Sequence, residues 1–297
     1  MSANTNFIDP SVLASLDNLE LRARVVVEGF LNGLHKSPHR GFSVEFTDYR
    51  QYHRGDDMRH VDWKLYARSD KFYIKQYEDE TNVRCYIVLD ASASMAYSSG
   101  GMSKLEYGRT LASALAYFIM RQRDAVGLIT FDEKVKDFIP ALCRQPHLIR
   151  ILRALAQLEA GTTTDVVKPL ADLAMNLNRK SLVILISDLL DDEDRILKTL
   201  QSLRAMGNDV IVFQVMDNAE LNFEFHEATE FIDSETAESY ITSPAAVREA
   251  YLENLNGFLD KCRKKCQTSG IDYGLLNTSQ PLDAALSSYI FRRAKSF

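Results

Sequence analysis

The sequence predicts an α/β protein: a mainly parallel six-stranded sheet flanked by helices, with a small α+β elaboration at the N-terminal end. Two observations carry that expectation. From residue 83 onward, apolar runs of strand length alternate with stretches of helical period, the sign of parallel α/β layers. Most of those runs are apolar throughout, as strands covered on both faces are. Residues 1–80 lack that alternation and are read as a separate N-terminal region, leaving 81–297 as the main domain.

Within the N-terminal region, helices are expected near 10–18 and 20–34. GFSVEFTDYRQY (41–52) and KFYIKQYEDE (71–80) then alternate apolar and polar residues as half-buried strands do. Between them lies the polar stretch YHRGDDMRHVDWKLYARS (52–69), which holds Trp63, the one tryptophan of the chain. In the main domain the strand candidates are 83–89, 125–131, 134–139, 182–187, 209–215 and 271–276. Leu105, Gly108, Leu111, Leu115 and Phe118 recur every three or four residues and mark the inner face of a helix over 103–123. Further helices fit 146–158, 165–178, 192–206, 244–269 and 281–294. The Asp132-Glu133 turn between AVGLITF and KVKDFI is so short that these two strands are expected to form an antiparallel hairpin at a sheet edge.

Composition narrows the function. With 46% hydrophobic and 26% charged residues the balance is that of a globular chain. The net charge of −6 argues against broad nucleic-acid or anionic-membrane binding, which depends on accumulated Lys and Arg. The apolar runs fall far short of the ~20 residues of a membrane span, and the first residues lack the build of a secretory signal. A cytoplasmic protein without membrane insertion is expected. Cys85, Cys143, Cys262 and Cys266 imply no disulfide framework.

The chemistry concentrates in VLDASASM (88–95). Asp90 closes an apolar strand, and Ser92 and Ser94 follow at alternate positions before a helix. Ligands of open parallel sheets collect at this carboxyl edge, and a carboxylate with two hydroxyls is a hard-oxygen set suited to Mg²⁺. AGTTTDVV (160–167) brings further hydroxyls ahead of another helix, and Asp188 ends a second apolar strand as Asp90 does. Helix capping would account for either serine alone, but not for Asp188 and the threonines at the same edge. The acidic run 191–194 fits a helix N-terminus, and Arg54-Gly55-Asp56 fits a tight turn.

Asp90-x-Ser92-x-Ser94, the Gly-Thr-rich loop and Asp188 resemble the metal-ion-dependent adhesion site of von Willebrand factor A domains. The resemblance implies a von Willebrand factor A-like fold over about 83–290. It also implies Mg²⁺, with Mn²⁺ or Ca²⁺ as alternatives, held by Ser92, Ser94 and a threonine, with Asp188 acting through water. Thr164 aligns best as that threonine, and Thr162 is the second choice. Arg50-x-Tyr52-x-x-Gly55-Asp56-x-x-Arg59-x-x-Asp62-Trp63, followed by Ala67-Arg68, is similar to the signature of the bacterial "domain of unknown function 58" family. Many of its members carry transmembrane helices ahead of the signature, and this chain shows none there. That resemblance implies an adaptor working with a MoxR-type AAA+ ATPase in protein assembly or maturation.

The expected function is therefore a non-enzymatic, metal-dependent protein-binding module whose partner offers an Asp or Glu to the ion. A metal-assisted phosphohydrolase is the alternative, although residue 92 is Ser where a second carboxylate would be wanted, and the chain has neither a P-loop nor a G-x-S-x-G elbow. A scaffold with a purely structural metal is the third reading. Arg50, Asp56, Arg59, Asp62 and Trp63 are read as a structural ion-pair and stacking network.

Overall fold

The computed structural model describes residues 18–36, 49–51, 66, 72–75, 84–161, 168–171, 180–190, 193–225, 229–232, 239–242, 244–282 and 286–287. The chain divides into two compact units, one of residues 1–36 with 83–297 and one of residues 37–82.

In the smaller unit, β1 (Tyr49–Gln51) pairs antiparallel with β2 (Tyr73–Lys75), and Arg50 lies opposite Ile74. These are the two segments whose alternation predicts strands. The rings of Tyr66 and Phe72 stack with centroids 4.4 Å apart. Arg50 therefore sits on a strand; Tyr52, Gly55, Asp56, Arg59, Asp62, Trp63, Ala67 and Arg68 lie outside the described residues.

The larger unit is built on a six-stranded sheet of β3 (Arg84–Asp90), β4 (Ala125–Phe131), β5 (Val135–Leu142), β6 (Leu182–Ser187), β7 (Asp209–Met216) and β10 (Asp272–Asn277), in the order β10-β7-β6-β3-β4-β5. Every neighbouring pair is parallel except β4 and β5, the expected hairpin at the edge. All six strands fall where the apolar runs predict them. In the inner strands β3, β4, β6 and β7 nearly every side chain is buried on one face or the other, which is why those runs are largely apolar, while the edge strand β5 keeps exposed positions.

On one face Ile87, Leu89, Ile184, Ile186, Ile211 and Phe213 pack with α2 (Lys104–Arg121) and α3 (Gln145–Gln157). On the other Tyr86, Val88, Val183, Leu185, Val210 and Val212 meet α4 (Glu193–Ala205) and the Cys262 and Cys266 side of α6 (Pro244–Thr268). Those two cysteines are buried core residues, free of any disulfide.

Helix α2 has the predicted inner face, with Leu105, Leu111, Leu115 and Phe118 all buried. Ser103 caps it by accepting from the Glu106 backbone N–H at 3.1 Å. Gly108 lets the helix lie close over β3 and β6: a Cβ there would stand 2.9 Å from Leu89 Cδ1. Helix α1 (Leu19–Lys36) packs on the same layer, with Val26 and Val27 in that core and Arg22 Nη1 paired to Glu106 Oε1 at 2.7 Å. Asn18 begins α1, its Oδ1 accepting from the Glu20 N–H at 2.9 Å.

Residues 168–171 and 286–287 are helical, within two of the predicted helices; the remainder of 165–167, 172–178 and 288–294 lies outside the described residues. Residues 10–17 do as well. The sequence reading does not anticipate the short helix α5 (Asn218–Asn222) or the antiparallel hairpin of β8 (Thr229–Ile232) and β9 (Ser239–Thr242). Among the described residues no helix is long and apolar enough to cross a membrane.

Candidate metal centre at the carboxyl edge of the sheet

Strands β3 and β6 run side by side, with Leu89 opposite Ile186, so the residues that follow both pairs sit together at the carboxyl edge. Asp90 there is wholly buried, and so are Ser92 and Ser187. Asp90 Oδ1 accepts from the Ser92 backbone N–H at 2.9 Å. Its Oδ2 accepts from the Ser187 hydroxyl at 2.6 Å. That hydroxyl in turn accepts from the Leu189 N–H at 2.9 Å, which commits its proton to Asp90. Leu189 reaches this position with a left-handed φ of 59°, a conformation uncommon for a bulky residue.

After Asp90 the chain turns through a short 3₁₀ segment, Ser94–Ala96, whose Met95 is driven wholly into the core. That anchor leaves the hydroxyls of Ser92 and Ser94 3.1 Å apart. The loop is fixed from the side as well, because the Ala91 carbonyl accepts from the Gly161 N–H at 2.6 Å. Gly161 is the residue directly before the threonine run, so the start of the Gly-Thr loop lies against the Asp-x-Ser-x-Ser loop. Thr162 and Thr164 themselves lie outside the described residues.

Burial pushes the Asp90 carboxyl up to about 7, with the Asp188 carboxylate adding to the rise and the hydrogen bonds from Ser187 and Ser92 opposing it. Two desolvated carboxylates at neighbouring strand ends call for positive charge. Among the described residues one side-chain cation reaches this edge, and the sequence reading misses it. Lys104, the first residue of α2, is wholly buried, and its Nζ donates to Asp188 Oδ2 at 2.9 Å and to Glu220 Oε1 at 2.7 Å. The same ammonium lies 5.9 Å from the centroid of the Tyr97 ring. Burial alone pulls the Lys104 ammonium down, but Asp188 and Glu220 together more than offset it and hold it above its ordinary value.

The network continues along the sheet edge. Asp188 Oδ1 accepts from the Leu190 N–H at 3.2 Å, and its backbone carbonyl accepts from Gln214 Nε2 at 2.8 Å. Asp217, just past β7, forms a capping box with Glu220 at the start of α5. Its Oδ2 accepts from the Ser99 N–H at 3.2 Å and from Thr278 Oγ1 at 3.3 Å. Four strand ends, those of β3, β6, β7 and β10, thus converge on one polar cluster. A lysine in the first turn of a helix opposes the helix dipole, and that is the signal by which Lys104 could have been found.

Among the described residues, no three His, Cys, Asp or Glu side chains come together as a metal-binding group. A cation here would depend on hydroxyls instead, and the donor set fits one. The 3.1 Å between the Ser92 and Ser94 oxygens matches the ~3.0 Å edge of an octahedron with Mg²⁺ to oxygen distances near 2.1 Å. Asp90 supplies the carboxylate beside them, while Asp188 is engaged by Lys104.

In sequence, the chain is 26% identical over 214 residues to uncharacterized proteins of Mycobacterium tuberculosis and Mycobacterium bovis, a match covering 70% of this chain and 66% of each relative. Among solved structures it is similar to an aerotolerance-related membrane protein from Bacteroides fragilis. That likeness has 18% identity and a TM-score of 0.50, over 71% of this chain and 99% of that one. It is also similar to the SpRpn10 VWA domain, with 9% identity and a TM-score of 0.42 over 70% of this chain and 94% of that one. The family model for "protein of unknown function DUF58" matches residues 48–256, from β1 through the ends of β3, β6 and β7 and into α6. The chain belongs to the DUF58 family.

Proposed function

We propose that this protein is a non-enzymatic, divalent-metal-dependent protein-binding module. Asp90, Ser92 and Ser94 hold Mg²⁺, Thr164 completes the set with Thr162 as the alternative, and Asp188 contributes its charge from beyond the ligands. The observation that carries the reading is the Ser92–Ser94 hydroxyl pair, 3.1 Å apart beside the buried Asp90 carboxylate, which forms no ion pair among the described residues. A bound Mg²⁺ with a single direct carboxylate keeps net positive charge and would offer an open position to an acidic side chain. The partner is accordingly a protein presenting an exposed Asp or Glu, and the family resemblance supports a MoxR-type AAA+ ATPase as its class.

A binding role is favoured over phosphoryl chemistry by the state of Asp188. Its carboxylate is taken up by the buried Lys104 ammonium, so it is poorly placed to serve as the second catalytic carboxylate that a metal-assisted phosphohydrolase wants.

Affinity capture from cell extract tests the proposal, with wild-type protein and Asp90→Ala each in Mg²⁺ or in chelator. Capture of a protein by the wild type in Mg²⁺ only, lost on mutating that protein's acidic residue, supports it. Equal capture in all four conditions overturns it.

A further inference from the structure

Lys104 is a wholly buried ammonium facing two carboxylates, Asp188 at 2.9 Å and Glu220 at 2.7 Å. One positive charge against two negative ones leaves the triad short of neutrality. Its place is fixed from three directions: it starts α2, Asp188 follows β6, and Glu220 is locked in the capping box of α5, where its other oxygen accepts from the Asp217 N–H at 2.8 Å. The ammonium therefore cannot swing away without leaving two buried anions bare, a cost that removing one member of a buried pair makes large. Asp188 is also the residue whose charge reaches Asp90 across the ends of β3 and β6.

We propose that Lys104 is the affinity-setting residue of the metal centre: its ammonium ties up Asp188, keeps that carboxylate from binding the ion directly, and so leaves the site one carboxylate short, to be supplied by a partner. The inference rests on the metal reading given above and extends it to the division of labour between the two aspartates. Glu220 sets the balance, because it shares the ammonium. Without the Glu220 charge, Lys104 is drawn wholly onto Asp188 and the positive charge beside the site is less compensated. Without Lys104, Asp188 is released toward the ion.

Titration of Mg²⁺ by calorimetry into metal-free wild type, Lys104→Met, Glu220→Gln and the double variant tests this, with the metal-free melting temperature of each as the control for folding. Lys104→Met should bind Mg²⁺ at least about tenfold more tightly than wild type, and Glu220→Gln several-fold more weakly, since a unit charge at this range in a buried site shifts cation affinity by that order. The double variant loses one charge of each sign and so keeps the net charge of the triad. It should still bind more tightly than wild type, because Asp188 is free in it, and it remains informative if Lys104→Met fails to fold. Weaker or unchanged binding in the double variant, or unchanged binding in Glu220→Gln, overturns the role of Lys104 while leaving the metal reading intact. Silence across the whole series, wild type included, overturns the metal reading itself and this inference with it.

Discussion

The Ser187 hydroxyl donates to Asp90 Oδ2 at 2.6 Å, joining the ends of β6 and β3 through two wholly buried side chains. It ties the last residue of β6 to the last residue of β3 and holds the Asp90 carboxylate in one orientation. Ser187→Ala leaves that oxygen without its donor in a buried site, which costs about 1–3 kcal/mol. Denaturant unfolding of the metal-free protein should show the midpoint fall with the slope unchanged. An unaltered midpoint would mean that water replaces the hydroxyl.

The Asp90 carboxyl, raised to about 7, makes stability depend on pH. An unfolded aspartate ionises near ~3.9, so between there and about 7 the folded chain binds more protons than the unfolded one, and stability falls as pH rises through that window. Metal-free protein should melt lower at about pH 8 than at about pH 5, and Asp90→Asn should flatten this difference. An undiminished slope in Asp90→Asn would assign the effect to other groups.

Gly127 lies at the irregularity between β4 and β5, where the register shifts between Val126 and Leu128. A Cβ there would stand 2.7 Å from the Ile139 carbonyl oxygen and 2.9 Å from the Ala141 nitrogen, both backbone atoms that yield only if the edge strand moves. Gly127→Ala should destabilise the fold by about 1–3 kcal/mol, the usual range for overpacking, read as a lower melting temperature. A neutral substitution would mean that β5 shifts freely.

Much of this architecture is legible from residues alone because strands covered on both faces carry apolar runs, as β3, β6 and β7 do between their ends. The β4–β5 hairpin is legible from the short connection around Asp132-Glu133, three residues long in the structure. Asp90, Ser92 and Ser94 stand out because they are polar groups directly after such a strand. Lys104 and Glu220 are hidden for the opposite reason. Charged residues in the first turns of helices ordinarily face water, and only the meeting of the β6 and β7 ends turns these two inward. Ser187 is read as the last residue of an apolar strand, since nothing in one chain segment says that its hydroxyl faces the end of another. The β8–β9 hairpin is missed because its strands are four residues each, too short for a period-two pattern to separate from a loop.

The central claim is that Asp90, Ser92 and Ser94 form a metal site, and calorimetric titration of Mg²⁺ into metal-free wild type, Asp90→Ala and Ser92→Ala tests it most directly. The expected result is one ion per wild-type chain, no measurable binding in Asp90→Ala, which loses the charged ligand, and weakened binding in Ser92→Ala, which loses a neutral one. All three proteins should retain their circular dichroism spectrum. Absence of binding in the wild type, or equal binding in Asp90→Ala, would contradict the account.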